Sequence, residues 1–393
     1  MSNFSYYTPT HVYFGRGTQN QVGALVRAQG CKKVLIHYGG QSARRSGLLD
    51  QVEASLDAAG VAHVQLGGVV PNPHLSLVYE GIELCRKEGV DFILAVGGGS
   101  VIDSAKAIGY GMCMDGDVWE LYDHTRRATG CLPIGVILTI AASGSEMSDS
   151  SVITKEEGGI KRGYNDDICR PKFAIMNPEL TMTLPDYQTA CGCTDILMHT
   201  MERYFVQGDA MEITDSIAEA LMRTVMEQAK ILRDNPKNYD ARAEVMWAGS
   251  LSHNGLTGCG HDGSDFASHR LEHEMGGMFD VAHGAGLAAV WGSWARYVYQ
   301  NCMPRFVRFA RNVMGVEADL SDDAAALRGI ELMEDFFRSI HMPTCFSELG
   351  IHPTQEQLEE MAHKCYLAVG GLLGSAKKLD EGDMLAIYKM ANH

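Results

Sequence analysis

DFILAVGGGSVIDSAKAIG, residues Asp91–Gly109, is the stretch whose reading settles the fold class. The run Phe92–Val96 is apolar and short, and it ends in glycines, as a strand buried on both faces of a sheet does. VIDSAKAIG follows directly and reads as a helix. Gly97-Gly98-Gly99-Ser100 therefore joins a strand to a helix N-terminus, where glycines let the backbone approach a pyrophosphate and free N–H groups favour an anion. A tight turn alone explains such glycines equally well. Neither GxGxxG nor GxxxxGK[ST] is present, so no ordinary dinucleotide fingerprint or P-loop is available to decide.

Working outward, the alternation repeats. KVLIHYGG (Lys33–Gly40) is an apolar run ending in glycines, followed by helical periodicity over Leu48–Ala59; Leu75–Lys87 reads as a helix ahead of Asp91. LPIGVILT (Leu132–Thr139) is a further strand running into IAASGSE, and aromatic, β-branched Tyr6–Phe14 is expected as one or two short strands. Strands alternating with helices imply a parallel sheet covered on both faces. An α/β, Rossmann-like domain is expected over residues 1–186. Beyond Thr183-Leu184-Pro185 the pattern becomes helical: Gln188–Phe205, Glu212–Arg233, Ala241–Leu256, Phe266–Met275, Leu287–Val298, Ala324–Ser339 and Gln355–Leu367, punctuated by Pro236, Pro304, Pro343 and Pro353. Residues 187–393 are expected as an all-helical domain.

Bulk properties narrow the class. The 393 residues suffice for two cored domains, and no apolar run approaches a membrane span. A net charge of −16 without a basic tract argues against nucleic acid. The N-terminus lacks signal-peptide features, and eleven cysteines without a CxxC pair fit reduced thiols in the cytoplasm. A cytoplasmic enzyme acting on small molecules is expected.

The chemistry concentrates in DFASHRLEHEMGGMFDVAHG, Asp265–Gly284. With His253 and His261 upstream, His269, His273 and His283 make a third of the chain's 15 histidines. Clustered imidazoles suit a divalent transition metal. His269 and His273, at i,i+4, share a helix face. His283 would lie roughly 21 Å from His269 on an unbroken helix, so the chain must fold back, and Gly276-Gly277 is the expected break. CTDILMHTME adds Asp195 and His199 at i,i+4, a carboxylate and an imidazole on one face. In the first half, Gly39, Gly40 and Ser42 follow the Lys33 strand with Arg44 and Arg45 close by and no carboxylate. That composition suits a ribose 2′-phosphate, hence NADP(H) over NAD(H). Thr139, Ser143 and Ser145 offer hydroxyls after a later strand.

YTPTHVYFGRGT, YGGQS, AVGGGSVIDSAKAI, TIAASGSEMS, KRGYNDDICRPKFAIMNPEL, the DxxxH helix and HxxxHx9HG, in this order, resemble the iron-containing (group III) alcohol dehydrogenase family, closest to its butanol dehydrogenase-like, NADP-using branch. The resemblance covers essentially the whole chain and implies a dehydroquinate synthase-like two-domain architecture. It implies metal ligands at Asp195, His199, His269 and His283, with His273 beside the nicotinamide and substrate as the catalytic proton relay. It assigns Gly97–Ser100 and Thr139–Ser143 to the pyrophosphate and nicotinamide riboside, and Asp103 and Lys161 to positions near the cofactor. Gln41 departs from the family, where a third glycine is common. The ion implied is Fe²⁺, with Zn²⁺, Ni²⁺ or Co²⁺ also suited to the set. A homodimer through the N-terminal strands is expected, as is a short aliphatic alcohol/aldehyde substrate lined partly by Trp119, Phe266 and Met275 or their neighbours. Two rivals carry other chemistry: a glycerol dehydrogenase or dehydroquinate synthase-type relative, and a metal-dependent hydrolase without nucleotide. Few basic residues apart from Arg203 and Arg270 stand near the histidines, which disfavours the synthase.

Overall fold

The structure is a computed structural model describing residues 1–393. The chain forms two compact units, one of residues 8–183 and the other of residues 1–7 with 184–393.

The first unit carries strands β1 (His11–Phe14), β2 (Lys33–Tyr38), β3 (Ala62–Leu66), β4 (Phe92–Gly97), β5 (Ile134–Leu138), β6 (Ser150–Lys155), β7 (Ile160–Asn165) and β8 (Phe173–Met176). Its helices are α1 (Val22–Ala28), α2 (Ser42–Arg45), α3 (Leu48–Ala58), α4 (Leu75–Glu88), α5 (Gly99–Met112) and α6 (Trp119–Tyr122). Six strands form one parallel sheet in the order β1-β8-β5-β4-β2-β3. Val34, Leu35 and Ile36 of β2 and Phe92, Ile93 and Leu94 of β4 have no exposed surface, as a sheet covered on both faces requires. The order reverses between β2 and β4. At such a switch point a crevice opens beyond the strands' C-terminal ends, and there Gly39–Ser42 and Gly97–Ser100 follow their strands.

One sequence expectation is narrowed. Only His11–Phe14 is a strand, paired with Phe173–Met176; Tyr6–Thr10 is irregular because the aromatic run upstream gains no ladder partner. β6 and β7 form an antiparallel hairpin that the sequence reading did not include.

Helix α5 staples the chain beyond β5. Lys106, fully buried, donates its Nζ to the carbonyls of Ser145 (2.8 Å), Ser148 (3.0 Å) and Ser150 (2.7 Å). One turn earlier, Asp103 accepts from the Ser145 hydroxyl (2.6 Å) and the Val152 N–H (3.0 Å). Lys106→Met is expected to destabilise the protein by about 2–4 kcal/mol, because buried carbonyls lose their donor. Urea unfolding checks this; an unchanged unfolding midpoint would count against the staple.

The second unit comprises α7 (Asp186–Tyr204), α8 (Glu212–Asp234), α9 (Tyr239–His253), α10 (Ala267–Phe279), α11 (His283–Val298), α12 (Met303–Asn312), α13 (Asp322–Ser339), α14 (Phe346–Leu349), α15 (Gln355–Ala368) and α16 (Glu381–Ala391). Gly284–Ala295 of α11 is buried all round, including Trp291 and Trp294, so α11 is the core helix of this unit. No helix is long and apolar enough to cross a membrane. The expected break at Gly276-Gly277 does not occur. Helix α10 runs through both glycines to Phe279, and the chain reverses at Asp280, whose φ of 51° gives the left-handed end usually left to glycine or asparagine.

Candidate metal centre and nucleotide loop

Asp195, His199 and Glu202 lie at i, i+4 and i+7 on α7, so one buried face carries two carboxylates and an imidazole. Helix α10 contributes His269 and His273, and α11 begins with His283. The reversal at Asp280 brings His283 back beside His269, with ring centroids 5.2 Å apart. Helices α7 and α11 meet main chain to main chain: a Cβ on Gly284 would stand 2.2 Å from the Cys191 carbonyl oxygen. Only glycine permits that approach.

These elements gather four side chains. The Nε2 atoms of His199, His269 and His283 lie 3.4, 3.5 and 3.7 Å from Asp195 Oδ1. Tetrahedral bonds of about 2.1 Å put neighbouring ligand atoms about 3.4 Å apart. Asp195 Oδ1 and His269 Nε2 are buried without a hydrogen-bond partner. Buried polar atoms are otherwise almost always paired, so orphaned donors at ligand spacing fit a cation with nitrogen-rich coordination. Three of the residues, Asp195, His199 and His269, group within ligand distance of one another; His283 joins them through Asp195.

Two rings are aimed by carboxylates that the sequence reading missed. Glu202 accepts from the backbone N–H of His269 (3.0 Å) and from its Nδ1, and Glu272 accepts from Nδ1 of His283. A carboxylate can only accept, so Nδ1 carries the hydrogen and Nε2 is turned inward with its lone pair. His199 has no such carboxylate; its ring lies against His253, centroids 3.9 Å apart. Burial, with His253 and His269 nearby, holds His199 well below its ordinary pKa and so keeps it neutral. At His269 burial pushes the same way, but the Glu202 and Asp195 carboxylates outweigh it and raise the pKa to about 9. A cation entering the centre takes the place of that proton.

His273 is buried, its ring 6.0 Å from that of His283. The Phe266 ring lies 5.4 Å from that of His269. Met275 has no exposed surface, and Trp119 is nearly buried, stacked on Tyr122.

At the candidate nucleotide loop, a Cβ on Gly97 would stand 2.4 Å from Val101 Cγ2 and 2.7 Å from its Cβ, so this position favours glycine, while one on Gly99 would stand 2.2 Å from the Ser143 hydroxyl, which would have to turn away. Thr139 donates its N–H to the Gly97 carbonyl (3.0 Å), which seats the Thr139–Ser143 turn over Gly97–Ser100. Both carboxylate oxygens of Asp103 are engaged within the unit, and Lys161 is buried on β7. Arg44 donates to the Tyr38 hydroxyl and to Gln65 Oε1, each at 2.9 Å, while Ser42 and Arg45 are exposed beside it and Gly39 and Gly40 lie at the end of β2.

Comparison with known proteins finds relatives along the whole chain. The profile described as iron-containing alcohol dehydrogenase matches residues 9–178, and that of the Fe-containing alcohol dehydrogenase family, C-terminal, matches residues 189–392. The NADH-dependent butanol dehydrogenase A of Clostridium acetobutylicum is 38% identical over 390 residues, 99% of each chain. The NADPH-dependent aldehyde reductase YqhD of Escherichia coli is 34% identical over 355 residues, 89% of this chain and 90% of the relative. Among solved structures, the NADH-dependent butanol dehydrogenase A of Thermotoga maritima superimposes with a TM-score of 0.96 at 37% identity, covering 100% of this chain and 99% of the other.

Proposed function

The chain belongs to the iron-containing alcohol dehydrogenase family and is an NAD(P)-dependent alcohol/aldehyde oxidoreductase, and on that footing we propose that it reduces short aliphatic aldehydes with NADPH at the four-residue centre. The observation that carries this reading is the convergence of three imidazole Nε2 atoms on one orphaned carboxylate oxygen. A metal-dependent hydrolase is not favoured.

Fe²⁺ held by Asp195, His199, His269 and His283 would supply Lewis acidity to the aldehyde oxygen; Zn²⁺, Ni²⁺ and Co²⁺ suit the same donors. Glu202 and Glu272 fix the rings of His269 and His283 before any ion arrives. His273 hands a proton to the product oxygen, directly or through water. Gly97, Gly98, Gly99 and Ser100 take the cofactor's pyrophosphate at the start of α5, with Thr139 and Ser143 on its riboside side. The protein's task towards the hydride is alignment of the nicotinamide.

NADP(H) is proposed over NAD(H) because Gly39–Arg45 holds no carboxylate, while Ser42, Arg44 and Arg45 offer a hydroxyl and two cations to a 2′-phosphate. Relatives named for NADH and for NADPH both stand close to the chain. The homodimer reading rests on β1, which lies at one edge of the parallel sheet; sedimentation equilibrium tests it, and a monomer at micromolar concentration would end it. The eleven unbridged cysteines support a reducing, cytoplasmic setting.

The deciding assay loads the protein with Fe²⁺ and offers aldehydes of two to six carbons with NADPH and NADH in parallel. Turnover of several of them, faster with NADPH, is expected. No cofactor oxidation with any aldehyde would sink the reductase reading, and faster turnover with NADH would reverse the cofactor preference.

A further inference from the structure

Phe266, immediately ahead of α10, sits at φ +54°. A bulky side chain in the left-handed region is a genuine, strained outlier. Such a conformation persists only where its surroundings impose it. Asp265 imposes it from both sides of Phe266. Its own N–H donates to the Glu202 carbonyl (2.7 Å), tying it to the end of α7. Its carboxylate reaches past Phe266 and accepts the N–H of Ala267 (3.0 Å), the first residue of α10. The second carboxylate oxygen accepts from the N–H groups of Ser375 (2.6 Å) and Ala376 (2.8 Å). Asp265 is 3% exposed, so none of these bonds is shared with bulk water. The Phe266 ring is held in turn, with the Arg203 guanidinium 4.9 Å above it.

We propose that Asp265 is a positioning residue, a staple that keeps Phe266 in its left-handed conformation and so fixes where α10 delivers His269 to the metal centre. The strain stored at Phe266 gives α10 a way to relax once the staple is cut. Phe266 would return to negative φ, the first turn of α10 would shift, and Nε2 of His269 would leave its place beside Asp195 and His199. His269 is two residues from the first N–H that Asp265 holds, so little slack separates cause from effect. The segment Ser375–Ala376 keeps a second anchor, since Gln207 Nε2 donates to the Ala376 carbonyl (2.6 Å). Cutting the staple therefore acts mainly on α10. The inference rests on the proposed metal centre and adds a residue that touches neither the ion nor the substrate.

Co²⁺ binding to the metal-free protein tests it, with affinity read by titration and coordination geometry by the visible absorption of the bound ion. Asp265→Asn keeps the size but turns an N–H₂ towards one set of donors; it is expected to weaken Co²⁺ binding at least tenfold and to alter the cobalt spectrum. Phe266→Gly accepts φ +54° without strain, so Asp265→Asn/Phe266→Gly is expected to recover most of the lost affinity, which a merely structural aspartate would not allow. Should the Asn variant fail to fold, Asp265→Glu, with the carboxylate displaced by one methylene, is expected to weaken binding at least threefold. Wild-type affinity in the folded variant, or no recovery in the double variant, overturns the staple. If the unaltered protein takes up no Co²⁺, the metal centre itself is wrong, and the staple falls with it.

Discussion

In the His283→Ala variant, bound iron is expected to fall below a tenth of an equivalent and aldehyde reduction to drop at least about 10³-fold, since a Lewis acid contributes several kcal/mol to such a reaction. The loss follows from two contacts. Nε2 of His283 completes the set around Asp195 Oδ1 at 3.7 Å, and Nδ1 is the group through which Glu272 aims the ring. Alanine removes both at once. His283 is more exposed than the other three, so water can fill the space and the helical unit should keep its fold. Elemental analysis and circular dichroism on one preparation separate the cases. Full turnover by a folded, metal-free variant would end the assignment.

The second large effect concerns stability. Asp215 on α8 is bound by both terminal nitrogens of Arg305 at 2.6 Å each, with Nε2 of His261 3.0 Å away. Arg305 also donates to the Tyr204 carbonyl (2.8 Å), so the group joins α8 and α12 to the end of α7. Burial would raise the Asp215 carboxyl, but Arg305 and His261 overcome it and hold the pKa well below the usual carboxylate range. The sign follows: the stabilisation is present above about pH 4, the unfolded value, and is lost as pH falls towards the depressed folded one. Asp215→Ala leaves a buried guanidinium without its partner and is expected to cost about 3–5 kcal/mol at pH 7. The gap between variant and parent should narrow in acid. Urea unfolding at pH 7 and pH 3 checks both statements; a loss under about 1 kcal/mol at pH 7 would place this group among ordinary surface pairs.

What the sequence made legible were features with a local signature. A short apolar run into three glycines has few readings, and the sheet is built on it. Histidines at four- and fourteen-residue spacing pointed to a cation, although spacing alone left His269 and His273 as the pair of choice and the resemblance was needed to name His283. Glu202 and Glu272 escaped because an acid three residues after a histidine looks like any charged helix face; only folding shows each buried against an imidazole. The reversal at Asp280 was misread for a related reason. Gly276-Gly277 offers the cheaper local break, but packing within the helical unit keeps α10 intact past it. Helix α12 went unread because Pro304 reads as a break, whereas it stands in the first turn of that helix, where proline is tolerated.

The contact of Gly284 with the Cys191 carbonyl has a further consequence for which ions the protein accepts. Because two main chains abut there, α7 and α11 cannot shift against each other at that point, and Glu272 holds the ring of His283 where α11 begins. Calcium seeks six to eight oxygens at about 2.3–2.6 Å, and magnesium an octahedron that retains water. Three imidazole nitrogens and one carboxylate oxygen at this spacing match neither requirement and suit a transition ion better.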